Sequence, residues 1–155
     1  MQTFLPLPSF RESAKCLDNK RLGKQRVECK QILLCCGVPV GAHVPGKRGW
    51  RHHPAVLMWA EYELALLVYA IVMCREWIAR GFNDRLAIEF TAAYDRLRPT
   101  VDVNRYPPWF GTPELHASHR SSLLRKDLRY YSQFGWDDPI YLPYFWPVQI
   151  EHVNQ

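Results

Sequence analysis

Between Leu64 and Cys74 the chain reads LALLVYAIVMC, a run with no charged side chain. A helix through this run has no polar face. It must be covered on all sides, and the other segments have to pack around it. The run falls short of the about 20 apolar residues a membrane span needs. Pro54 suits a first helical turn and Gly81 a helix end, so a long, central, buried helix is predicted over residues 54–80.

The flanking sequence supplies its neighbours. Met1 to Pro8 is expected to be extended, because Pro6 and Pro8 exclude an early helix. Ser9 and Glu12 form a capping box, and Asp18 and Asn19 are natural caps that break or bend the helix begun there. A second helical segment follows from about Lys20 to Cys36, ended by Gly37 and Pro39. Gly23 inside it costs about 1 kcal/mol against Ala and signals a bend or a close backbone approach. Val38 to His53 reads as a glycine-bearing loop carrying Lys47, Arg48 and Arg51. Asn83 or Asp84 caps a helix that reaches about Arg98, and Thr112-Pro113-Glu114 starts another that runs to about Phe134. The remainder, from Trp136, is rich in proline and rings and is expected to wrap over the helices as extended structure. The fold class predicted is all-α: one compact domain, residues 1–155, of four to five helices around the long apolar one, with an extended aromatic C-terminal tail.

Twenty Lys and Arg stand against fifteen Asp and Glu, a net charge of +5. Basic charge combined with 14% aromatic residues suits nucleic acid, since phosphates meet the cations and bases stack on rings. The same rings serve equally as core. The cysteines Cys16, Cys29, Cys35, Cys36 and Cys74 form no CxxC pair. They read as reduced and mostly buried thiols in a cytoplasmic protein.

Three polar clusters carry possible chemistry. In LDNKRLGKQRVECKQ (residues 17–31), Lys20, Arg21, Lys24, Gln25, Glu28 and Gln31 share one helical face, and Leu22, Cys29, Leu33 and Cys36 gather opposite. Lys24 is a candidate amine nucleophile toward a carbonyl carbon, and Glu28 a candidate general acid or base. A solvated face with an i,i+4 ion pair worth about 0.5 kcal/mol explains the same residues. The second cluster is Arg51-His52-His53-Pro54, at a helix start that suits an anion unless His53 is simply the cap. In the third, HASHRSSLLRK, residues His116, His119, Arg120 and Asp127 fall on one face, while Ala117, Ser121, Leu124, Leu128 and Tyr131 form another. His53, His116 and His119 do not follow a zinc-ligand pattern and lie among cations, so no metal and no cofactor is expected.

The blocks LDNKRLGKQRVE, GWRHHPAVLMW, HASHRSSLLRKD and LPYFWP, with Arg26-Val27, RGFN (80–83) and the Tyr130-Tyr131 pair, resemble the pyrimidine-dimer DNA glycosylase (endonuclease V-like) family. The resemblance implies a compact all-α domain that extrudes a nucleotide. It also implies an N-terminal amine that attacks the glycosyl carbon, and a glutamate on the early helix that assists strand cleavage at the abasic site. In an ungapped match Gly23 stands where that glutamate is expected, and the second residue is Gln2 rather than a small residue exposed by removal of Met1. The chain therefore resembles a branch lacking the expected catalytic glutamate and N-terminal nucleophile.

On this resemblance the expected activity is N-glycosyl cleavage at a damaged or modified pyrimidine, with abasic-site lyase activity. Glu28 or Asp18 is the expected acid/base, with Met1 or Lys24 as the amine. His53, His116 and His119 are expected at the base or leaving group. Arg21, Lys24, Arg51, Arg120 and Lys126 are assigned to phosphates, Lys20 and Gln25 to DNA contacts, and Trp109 and Trp146 to stacking. The expected partner is DNA, as a duplex with a flipped base or as a nucleotide. No membrane is expected, and the protein is read as a monomer. Two other functions use the same residues: a base- or nucleotide-modifying transferase, and a DNA-binding module without catalysis.

Overall fold

Ser9 opens the first helix with the predicted cap: its Oγ accepts the Glu12 N–H at 3.2 Å. The computed structural model describes residues 1–43 and 49–148. Lys47 and Arg48 of the expected basic loop, and residues 149–155 of the tail, lie outside them. Among the described residues the regular structure is helical: α1 (Phe10–Cys16), α2 (Asn19–Cys35), α3 (Pro54–Trp59), α4 (Glu63–Ala79), α5 (Leu86–Leu97), α6 (Pro113–Lys126) and α7 (Leu128–Tyr131). Short 3-10 turns follow α5 (Arg98–Thr100) and α7 (Ser132–Phe134). The all-α class holds, with more and shorter helices than expected. None of the described helices is long and apolar enough to cross a membrane.

The long helix predicted over 54–80 is two helices. It breaks after Trp59, and Glu61 takes a left-handed φ of 72°. Neither glycine nor proline marks the corner. Packing sets it instead: Trp59 is fully buried, and its indole Nε1 donates to Thr3 Oγ1 at 2.9 Å. The apolar run predicted to be covered on all sides lies in α4, which buries Leu64, Leu66, Leu67, Tyr69, Ala70, Met73 and Cys74 and packs on α1, α2 and α5. The helix expected from 112 to 134 is also divided. Asp127 leaves helical geometry and its Oδ1 accepts the Tyr130 N–H at 3.0 Å, capping α7.

Gly23 lies on the outer side of α2 against Trp77, where an added Cβ would sit 3.1 Å from two indole carbons. That indole is held in place. It stacks on Phe82 at 4.1 Å, its Nε1 donates to Asn83 O at 2.9 Å, and the Arg26 guanidinium lies 4.8 Å over its ring. Gly23→Ala would gain about 1 kcal/mol in helix propensity but incur an overpacking cost of about 1–3 kcal/mol. The expected outcome is a net loss of about 1 kcal/mol, read as a lower urea midpoint. A raised midpoint would mean that the indole yields.

Residues 2–7 run as an irregular segment through the interior, with Gln2, Thr3, Phe4 and Leu5 buried. Buried backbone without a helix or sheet must find other partners, and here side chains supply them. Gln25 Oε1 accepts the Phe4 N–H at 2.9 Å, and Tyr69 donates its hydroxyl to Phe4 O at 2.8 Å. Leu5 is held from both sides by α6: its N–H donates to His119 Nδ1 at 2.9 Å, and its carbonyl accepts from His116 Nδ1 at 2.7 Å. Arg120 donates to Pro6 O at 2.9 Å.

The serines of α6 secure the tail in the same manner. Ser121 Oγ accepts from Leu142 N at 3.0 Å, Ser118 Oγ from Phe145 N at 3.1 Å, and the Ser122 and Tyr144 hydroxyls lie 2.6 Å apart. One helix thus positions both the start of the chain and the aromatic tail.

Candidate active site

Where the N-terminal segment emerges beside α2, a concave cavity of about 410 Å³ opens. Its lining joins Met1, Gln2 and Phe4 to Lys20, Arg21, Lys24, Gln25 and Glu28 of α2, with Lys126 from the end of α6 and Tyr144 from the tail. The i, i+4 spacing of Lys20, Lys24 and Glu28 puts these three on one stripe of α2. Glu28 is the one carboxylate in this lining, against Lys20, Arg21, Lys24 and Lys126. Its Oε2 lies 3.5 Å from the Gln2 backbone N–H and 3.4 Å from Gln25 Nε2, both donors at the limit of hydrogen bonding. Arg21 is held at the wall by Asp18, whose Oδ2 is 3.2 Å from Nη1, and Asp18 in turn accepts from the Tyr131 hydroxyl.

Two groups border this lining. His53 caps α3, its Nδ1 accepting the Ala55 N–H at 3.0 Å. Burial lowers its pKa, and so, to a smaller extent, does the positive charge of the Met1 amine, which places that amine near the imidazole. The Trp146 ring meets His53 edge-on at 6.0 Å and lies 5.5 Å from Tyr144. Burial raises the pKa of Tyr144, Ser122 and Arg125 oppose that, and the Glu28 charge adds to it.

The cavity therefore gathers Lys20, Arg21, Lys24, Gln25, Glu28 and Lys126 from the sequence-predicted set, with His53 and Trp146 beside it. The remaining candidates lie elsewhere or are engaged in the fold. His119 is fully buried, and His116 is buried with its Nε2 accepting the Gly111 N–H at 3.0 Å, so neither meets a base. They hold Leu5. Arg120 is paired with Asp138 at 2.6 Å and does not line the cavity. Trp109 is buried against Trp59, centroids 4.9 Å apart, with its Nε1 on Met58 O at 2.9 Å, so its ring offers no stacking face. Gln25 is 1% exposed and its Oε1 is taken by the Phe4 N–H, so it shapes the cavity instead of reaching along a duplex. Asp18 positions Arg21. Arg51 is exposed on the turn before α3, outside the lining. The start of α3 is not open to an anion, because the Ala55 and Val56 N–H groups are both taken by His53.

Sequence reasoning missed Gln2 and Tyr144. An extended N-terminal segment that threads a helical core has no periodic signature, and Tyr144 is one ring among many in the tail. Gly23 faces Trp77, and the carboxylate beside the start of the chain is Glu28.

The first 90 residues, which hold the N-terminal segment and α2, match the family described as pyrimidine dimer DNA glycosylase, residues 1–90. The chain belongs to that family. Among curated proteins and among solved structures, none matches it. The family match covers Met1, Gln2, Lys20, Arg21, Lys24, Gln25, Glu28 and His53. Lys126, Tyr144 and Trp146 come from outside it.

Proposed function

We propose that this member of the glycosylase family releases a damaged or modified pyrimidine from DNA by cleaving its N-glycosyl bond, in the α2 cavity. The observation that carries the reading is the single carboxylate, Glu28, beside the start of the chain in a cavity whose other charged side chains, Lys20, Arg21, Lys24 and Lys126, are cations. An amine in this cavity, that of Met1 or Lys24, attacks C1′ of the extruded nucleotide. The C1′–N bond breaks, and its electron pair leaves with the base, which takes up a proton. The amine's own proton passes to Glu28. Glu28 returns that proton to O4′ as the sugar ring opens to an imine and, a carboxylate again, removes a proton from C2′, so that the C3′–O bond breaks and the 3′ phosphate leaves, the abasic-site lyase step. Lys20, Arg21 and Lys126 bind phosphates around the extruded nucleotide, and the Trp146 ring takes a base face. His53, near the amine, is a neutral partner for the leaving base.

A duplex carrying one cyclobutane pyrimidine dimer, incubated with the protein and sodium borohydride, tests this. The expected result is a covalent protein–DNA adduct that maps by peptide mass to Met1 or Lys24. Intact glycosyl bonds with no adduct would refute the lyase chemistry. A DNA product of increased mass, with every glycosyl bond intact, would favour a modifying transferase.

A further inference from the structure

Gln2 is 5% exposed and lines the cavity, yet its Nε2 is buried without a hydrogen-bond partner among the described residues. An unpaired buried donor is costly, so one that lines a cavity points to a partner supplied from outside the fold. The orientation of this carboxamide follows from its other end. Oε1 accepts the Thr3 N–H at 2.9 Å, which turns the NH₂ group away from the backbone. An amide flip would put two donors face to face. His119 repeats the pattern deeper in the fold: its Nδ1 accepts from Leu5 N, so the hydrogen lies on Nε2, which also has no partner. His119 sits behind Phe4 and Tyr144, with ring centroids 6.1 Å away in each case. It does not line the cavity, so of the two only Gln2 meets a ligand there directly.

The other polar groups of the lining do not duplicate this donor. Lys20, Lys24, Lys126 and Arg21 are cations suited to phosphate, Glu28 only accepts, Gln25 Nε2 is directed to Glu28, and the Tyr144 hydroxyl is engaged with Ser122 Oγ at 2.6 Å. A neutral donor among them suits a neutral acceptor, and the ring carbonyls of a pyrimidine are such acceptors. We propose that Gln2 Nε2 donates to a ring carbonyl oxygen of the base held in the α2 cavity, making Gln2 a group that determines which bases the site accepts. This rests on the reading of that cavity as the base pocket.

Equilibrium binding to two duplexes tests it. Both place one unpaired nucleotide opposite an abasic site. In one the base is thymine. In the other it is difluorotoluene, which has the same shape without the carbonyl acceptors. The full-length protein is expected to bind the thymine duplex about tenfold more tightly, in line with the value of one well-formed base contact. Gln2→Met, similar in size and without a donor, is expected to lose that preference while keeping its affinity for the difluorotoluene duplex. Equal affinity of the unsubstituted protein for both duplexes overturns the proposal whatever the variant does. A preference that persists in Gln2→Met assigns it to another group and overturns the proposal as well. Failure to bind either duplex at low salt instead refutes the DNA reading of the cavity, an outcome that equal and measurable affinities exclude.

Discussion

Replacing Glu28 with Gln is expected to lower the rate of base release by roughly 10²- to 10⁴-fold, the range for loss of a general acid or base. That corresponds to about 3–5 kcal/mol of transition-state stabilisation. The variant keeps the shape and polarity of the side chain, and Gln25 and Gln2 can still hydrogen-bond to its oxygen. What is lost is the ability to take up a proton. Duplex affinity is expected to stay the same or to rise slightly, because the change removes the one negative charge in a lining that contains Lys20, Arg21, Lys24 and Lys126. Single-turnover glycosyl cleavage of a dimer-containing duplex, read as the abasic sugar it leaves and measured beside equilibrium binding, separates the two quantities. An unchanged rate would remove Glu28 from the chemistry. Salt-dependent binding with no base release by the unsubstituted protein would identify a binding module instead.

Stability is expected to fall steeply as the solution is made acidic, and much of that fall is expected to disappear in His119→Asn. Burial holds the His119 imidazole at a pKa of about 3, and the nearby His116 lowers it further. In the unfolded chain the same group titrates near 6.5. Between those values the unfolded state binds a proton that the folded state refuses, so this contribution is fully present above about pH 6.5 and is lost as pH falls toward 3. The slope approaches 1.4 kcal/mol per pH unit and totals about 4–5 kcal/mol. Asparagine can present Oδ1 to the Leu5 N–H where Nδ1 stood, but it carries no titrating proton. Urea unfolding between pH 6 and 4 should show the variant losing about one proton's worth of slope, despite lower stability at pH 7 from the smaller side chain. His53 and His116 also have lowered values, so some acid sensitivity remains. An unchanged slope would show that His119 is not the group refusing the proton. Because His119 holds Leu5, acid should also loosen the segment that brings Gln2 to Glu28.

Local signals in the sequence translated directly into structure. Ser9 and Glu12 form their cap, Asp84 Oδ2 accepts the Ala87 N–H at 2.7 Å ahead of α5, and Gly37 takes the positive φ that ends α2. The periodicity of α2 also correctly put Lys20, Arg21, Lys24 and Glu28 together. The corner at Glu61 was not legible, because the residues there favour helix and a buried tryptophan overrides them. Nor was the meaning of His116 and His119. Their spacing marked them as a pair on one face, but only the threaded segment shows that they bind backbone. Nor was the approach of Glu28 to the first residues legible, because it is set by how an irregular segment lies against α2.

The double grip on Leu5 has a consequence for how the protein forms. Its hydrogen bonds to α6 join residues 114 and 111 positions apart. Closing so long a loop is entropically costly, and contacts of this separation slow folding. The N-terminal segment cannot reach its final place until α6, more than 100 positions later, has been made. The cavity is consequently among the last features to assemble. A truncated or prematurely terminated chain could form α1 to α4 and still leave Gln2 and Glu28 apart.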